Sequence, residues 1–255
     1  MKADPRSTDP PVTDPPVTDS PVANSPVANS PVTDPTAAYV APLAVYLVGV
    51  SLAAALPDAY PVAYAGVVVL TVAAVLWAWR RVSVIRPHRR VVPGVACGLV
   101  GIALWIGLSE LGVEAALAAA LPESLRPPER VGFDPWRELG GGLATWAFVA
   151  ARLTGLVLLI PIAEELFWRG FLLRWTIAED WRAVPPGTYR LKSFLIVTAL
   201  FTLVHSEWVA AAIYAMLLNG LLYWRKDLWQ CVVAHGVSNA VLAAYVISAS
   251  AWYLW

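Results

Sequence analysis

Past residue 36 the chain reads as long apolar runs separated by short polar connections. About seven runs stand out: Val40 to Leu56, Val62 to Trp79, Val91 to Leu108, Leu143 to Trp175, Phe194 to His205, Val209 to Trp224 and Leu228 to Ile247. Most approach the roughly 20 residues that an α-helix needs to cross hydrocarbon. No strand-like alternation interrupts them, and backbone groups in lipid must be satisfied internally, so helices are expected. The fourth run is too long for one crossing. At about 1.5 Å per residue it would reach roughly 50 Å, which predicts a break or kink near Gly155 or Pro161. The fifth run is short, and its boundary with the sixth falls at Ser206 and Glu207. The pattern predicts an all-α polytopic transmembrane helix bundle of about seven to eight spans over residues 37–255, with the chemistry-bearing core at 143–247.

Residues 1–36 are a different material. From Asp9 they repeat a five-residue unit, DPPVT, DPPVT, DSPVA, NSPVA, NSPVT. Proline at this density removes backbone donors and favours extended conformers, and the segment has too little apolar surface to fold alone. A disordered N-terminal tail acting as a solvated spacer is expected. It lacks the basic start and apolar run of a secretory signal, so no cleavage is expected there.

Composition narrows the class further. Hydrophobic residues are 58% of the 255 positions and charged residues 14%, a balance that excludes a water-soluble domain. The formal net charge is zero, so nucleic acid is not an expected partner; the lipid bilayer is. Cys97 and Cys231 both lie in apolar segments, where buried thiols are expected rather than a disulfide or a metal pair.

The basic residues set an orientation. Arg80, Arg81, Arg86, Arg89 and Arg90 crowd one connection; Arg174, Arg182, Arg190 and Lys192 lie in another; Arg225 and Lys226 in a third. Assigning all three to the cytoplasm by the positive-inside rule puts the tail inside and Trp255 outside. The connection from Ser109 to Gly142 mixes Glu and Arg, as an external loop can.

Three groups of polar residues sit where hydrocarbon should forbid them: Glu164, Glu165 and Arg169 in PIAEELFWRGFLLRW, His205 in ALFTLVHSEW, and His235 with Asn239 in VVAHGVSNAV. Ionisable residues in a membrane mark a functional interior by default. For each alone a structural role is respectable: a lone His is often only hydrogen-bonded, and Arg169 could simply neutralise Glu165 at i,i+4 spacing. Depth ties them together. Glu164, His205 and His235 fall roughly 15, 20 and 12 Å from the basic ends of their segments, at about 1.5 Å per residue. That predicts a shared site in the cytoplasmic half of the bundle. A carboxylate in low dielectric is pushed toward neutrality and becomes a competent base for water. Glu164 is the candidate base, and Glu165, about 100° around the helix, is expected to pair with Arg169. His205 could share the water or donate a proton, while His235 and Asn239, one turn apart, could hold an oxyanion. The competing assignment makes Glu164, His205 and His235 ligands of a zinc ion. There is no HExxH, and Asn239 is a poor zinc ligand but a good donor, so the metal-free form is the preferred expectation.

These residues also carry a resemblance. Glu164, Glu165 and Arg169 read as EExxxR, Phe201 and His205 as FxxxH, and His235 and Asn239 as HxxxN. In that order on successive apolar helices they resemble the CPBP family of intramembrane proteases, which includes the type II CAAX prenyl endopeptidases and bacteriocin-immunity homologues. The resemblance covers roughly Leu143 to Ile247. It implies a membrane endopeptidase, described in the family as metal-dependent or glutamate-dependent, whose glutamates, arginine, histidines and asparagine map onto the residues quoted, with Phe201 and Arg169 as structural support. GFDPW at Gly132 to Trp136 is similar to a bacterial branch called CAAX prenyl protease-related. The implied substrate is a peptide or lipidated protein in the membrane, and the implied location a bacterial inner membrane. Two other classes stay open: an immunity or scaffold protein of the same fold, and a proton or metal transporter. A transporter predicts a second ionisable constellation or an inverted repeat, and the sequence displays neither.

Overall fold

A computed structural model describes residues 35–126 and 132–254, and every regular element among them is helical. The expected tail lies outside the described residues except at its end, where Thr36 opens α1 (Thr36–Ala54). The helices α2 (Tyr60–Trp79) and α3 (Val92–Glu110) follow, then the short α4 (Val113–Ala120) and α5 (Pro135–Leu139). A continuous helical stretch from Leu143 to Trp175 comprises α6 (Leu143–Leu153), α7 (Ile160–Glu165) and α8 (Leu173–Trp175). α9 (Leu191–Leu203), α10 (Trp208–Arg225) and α11 (Leu228–Ala249) complete the bundle.

Five stretches are long and apolar enough to cross a membrane: Thr36–Ala54, Pro57–Trp79, Val92–Glu110, Leu143–Trp175 and Leu228–Ala249. The protein is therefore an all-α integral membrane protein. The two remaining apolar runs become α9, with 13 residues, and α10, with 18. They pack on each other as a hairpin turned over residues 204–207.

The 33-residue stretch was expected to break or kink near Gly155 or Pro161. It stays helical throughout, and the irregularity there is a widening into π-helix at Thr154–Leu159, repeated at Leu166–Leu172. π turns leave local carbonyls less well satisfied and gather at functional sites. Pro161 sits in the first turn of α7, where its missing N–H falls at the change of helical register. The Asn239 side chain reaches across from α11 and donates to the Leu156 carbonyl inside the first π stretch, at 2.8 Å.

Close helix contact is built from glycine. A Cβ on Gly94 would lie 2.6 Å from the Gln230 carbonyl, and one on Gly98 would collide with the Ala234 carbonyl, so α3 and α11 touch backbone to backbone. Small residues at four-residue spacing allow this approach where lipid supplies no hydrophobic drive between helices. Gln230 fastens the junction: its side-chain oxygen accepts from Gly94 N at 2.9 Å, and its amide donates to the Arg90 carbonyl. Gly98→Ala is expected to destabilise the fold by about 1–3 kcal/mol through overpacking. Gly66→Ala on α2, whose added methyl would meet nothing within 4 Å, serves as the neutral control in the same thermal-unfolding measurement.

Candidate active site

The π-bearing stretch carries three of the polar residues. Glu165 and Arg169 are fully buried, and Arg169 Nη1 donates to Glu165 Oε1 at 3.1 Å, as their spacing predicted. Arg169 Nε donates to Asn219 Oδ1 at 3.1 Å, and Asn219 in turn donates to the Thr198 hydroxyl at 3.2 Å. The guanidinium also lies over the Phe201 ring, 4.9 Å from its centroid. Arg169 thus ties the stretch to α9 and α10.

Glu165 has a second partner. His235 Nδ1 stands 2.9 Å from Glu165 Oε1. A carboxylate accepts, so the Nδ1 hydrogen points at Glu165 and Nε2 is the acceptor in the neutral ring. The arrangement fixes tautomer and ring plane. Tyr214 sets its ring edge against His235 and donates its hydroxyl to Ser238 at 2.7 Å.

His205 was expected within the fifth apolar helix. It lies instead in the turn just after α9, because α9 ends at Leu203 and the chain reverses there. Its Nδ1 is 2.7 Å from the Phe201 carbonyl, which only accepts, so again Nε2 is the acceptor in the neutral ring. The imidazole stacks on Phe201 at 4.3 Å between centroids, and Trp105 stands edge-on at 5.8 Å. The reversal is secured from another element: Glu114 on α4 accepts from Val209 N and Ala210 N at 2.8 and 3.0 Å, capping α10.

Glu164, His205, His235 and Asn239 line one cavity of about 280 Å³. Glu165 and Arg169 stand behind its wall. Glu164 Oε2 is buried and makes no hydrogen bond among the described residues, so this carboxylate has acceptor capacity to offer inside the cavity. Asn239 has one amide hydrogen committed to Leu156 and a second to offer.

The cavity faces differently from expectation. α11 starts at the basic face and runs through His235, Asn239 and Leu242 away from it; Leu242 and Leu254 both line the cavity, as does Val204 beside the hairpin turn. It therefore extends from the level of His235 toward the face opposite the basic connections, not into the cytoplasmic half assigned from depth. Depth measured along single segments places the carboxylate and imidazoles correctly against each other but says nothing of which side of them is hollow. At that far end the C-terminal turn is held by Tyr253, whose hydroxyl donates to Glu110 at 3.2 Å. Partial burial and the Glu110 carboxylate push the Tyr253 hydroxyl up, keeping it a neutral donor.

The zinc assignment fits poorly. Among the described residues no three His, Cys, Asp or Glu side chains form a group that could hold a metal ion. Both imidazole Nδ1 atoms are turned to protein acceptors, which leaves each neutral Nε2 with a free lone pair, so it is the spread of the side chains and not the tautomers that counts against a metal.

Several participants escaped the sequence reading. Asn219 is a polar residue in an apolar helix, the same signal that singled out Asn239. Arg152 also lines the cavity; it donates to the Tyr60 hydroxyl at 3.1 Å and lies over the Tyr64 ring. Its signal was a charge within the fourth apolar run. GFDPW takes a local role: Asp134 caps α5 by accepting from Trp136 N and Arg137 N, and Pro135 occupies the first turn.

Fold and cluster together define a helical membrane protein with a buried glutamate–histidine centre. Residues 145–241 match the family model described as Type II CAAX prenyl endopeptidase Rce1-like, less than half of the chain but a stretch that holds every residue from Glu164 to Asn239. No curated protein and no solved structure matches the chain.

Proposed function

We propose that the protein is an intramembrane endopeptidase that hydrolyses a peptide bond of a membrane-associated or lipidated substrate. The observation that carries this reading is the convergence of Glu164, His205, His235 and Asn239 on one cavity, backed by the match over residues 145–241. Glu164 takes a proton from water, with His205 as its partner, and the hydroxide adds to the scissile carbonyl carbon. The oxyanion is held by the second amide hydrogen of Asn239 and, when its ring carries both protons, by His235 Nε2–H, with Glu165 fixing the ring at Nδ1. The abstracted proton passes to the leaving nitrogen as the C–N bond breaks, giving a carboxylic acid and an amine, which exchange a proton to carboxylate and ammonium. Arg169 and Asn219 act as positioning residues: they hold Glu165, which holds His235. In this reading seven spans cross the bilayer, with α9 and α10 as the two that fall outside the five longest and most apolar stretches. The tail is cytoplasmic, and the membrane is a bacterial inner membrane.

The test is cleavage of a fluorogenic membrane peptide, with and without a prenyl group, by the purified chain in detergent. Absence of cleavage by folded protein against every peptide would favour a scaffold or immunity role. Thorough chelation is expected to leave the rate within about twofold. Stoichiometric zinc that leaves with activity and restores it on return would replace the water-activation scheme while leaving the protease assignment standing.

A further inference from the structure

A second cavity, of about 510 Å³, opens at the basic face, away from the glutamate–histidine cluster. Its walls come from the connection after α2 and from the facing ends of α8, α10 and α11, and they include Ser83, Arg86, His88, Arg174, Lys226 and Asp227. Three cations face a single carboxylate. That carboxylate is already occupied: Asp227 Oδ2 is 2.7 Å from His88 Nε2, and Oδ1 caps α11 by accepting from Trp229 N at 3.0 Å. Arg174 is 6% exposed and donates to the carbonyls of Gly170, Arg182 and Val184, so it is fixed in place, and no carboxylate lies within ion-pair distance of it among the described residues. Arg86 and Lys226 have no carboxylate within ion-pair distance among the described residues. Fixed positive charge in a concave site is a place for a phosphate.

The surroundings decide where that phosphate comes from. Trp77, Trp79, Trp175 and Trp224 are exposed at the ends of α2, α8 and α10 that border the cavity, between 38% and 68%. Tryptophan concentrates at the headgroup level of a bilayer. A basic pocket between transmembrane helices at that level is the kind of site that holds an anionic lipid headgroup. We propose that this cavity binds the phosphate headgroup of an anionic membrane lipid, with Arg86 and Lys226 as contacts and Arg174 as the fixed charge beneath them. The inference is independent of the role given to Glu164.

The experiment is thermal unfolding of the full chain in detergent supplemented with phosphatidylglycerol or phosphatidylcholine. At about tenfold excess over its dissociation constant the anionic lipid is expected to raise the midpoint by roughly 3–6 °C, and phosphatidylcholine to leave it unmoved. The variant Arg86→Ala/Lys226→Gly should lose the shift. It is chosen to fold: Arg86 is exposed, and Lys226 has φ 52°, where glycine relieves strain rather than adding it. Arg137→Ala, in the basic residue beside Glu138 on α5, should keep the full shift. An equal shift with phosphatidylcholine, a shift retained in the double variant, or one lost in Arg137→Ala would overturn the site. An equal shift from glycerol 3-phosphate alone would overturn the lipid as its occupant.

Discussion

Glu164→Gln is expected to reduce peptide hydrolysis by about 10²- to 10⁴-fold, the range lost when a positioned general base is removed. The substitution keeps the shape of the side chain and replaces an acceptor-only carboxylate by an amide that cannot take a proton from water. Glu164 Oε2 makes no hydrogen bond among the described residues, so few protein contacts depend on its charge. The melting temperature should therefore stay near that of the wild type, and kcat should fall with KM little changed. The checking measurement is turnover of the same peptide by matched amounts of folded protein. Near-normal turnover would remove Glu164 from the reaction and leave the cavity without its base.

A second large effect is expected in stability. Arg169→Met should cost about 3–5 kcal/mol, because it removes the cation paired with a fully buried carboxylate and leaves Glu165 with only the His235 imidazole. Glu165→Gln alone should also be costly, since the buried Arg169 charge is then left with neutral acceptors only, the new amide and Asn219. The double change removes both charges and should cost less than the sum of the two single changes. A double-mutant cycle in denaturant unfolding measures the difference, and simple additivity would count against a coupled pair. Arg169→Met should also lower turnover, through loosening of the Glu165–His235 contact rather than through any contact of its own with substrate.

The sequence made some of this legible for identifiable reasons. Glu165 and Arg169 are four residues apart on one helix, so their contact could be read from spacing alone. Glu164, His205 and His235 were recognisable because hydrocarbon makes each costly unless it faces an interior. What stayed hidden depends on partners distant in the chain. The π widening at Thr154–Leu159 is supported by a hydrogen bond from Asn239, 83 residues beyond Leu156. The turn that carries His205 ends where Glu114 caps α10, 95 residues before Val209. No local propensity encodes either contact, which is why the form of the irregularity near Gly155 was not specified and a helix was expected where the chain turns. The hollow side of the cluster was likewise set by the turn beyond α9 and the C-terminal turn, neither of which follows from the depth of a single residue.

The junction of α3 with α11 has a consequence for biogenesis. Gly94 and Gln230, joined by a hydrogen bond, are 136 residues apart in the chain. This close helix contact must wait until α11 has been synthesised. Glu165 and Arg169 enter the membrane long before His235 does, and their mutual neutralisation lets that stretch lodge in hydrocarbon as a pair with reduced charge. Arrival of α11 then does two things in one docking event: it closes the glycine seam and delivers His235 to Glu165. A chain halted before that helix would hold Glu165 without its imidazole partner, so the proposed hydrolytic competence and completion of the fold would arrive together.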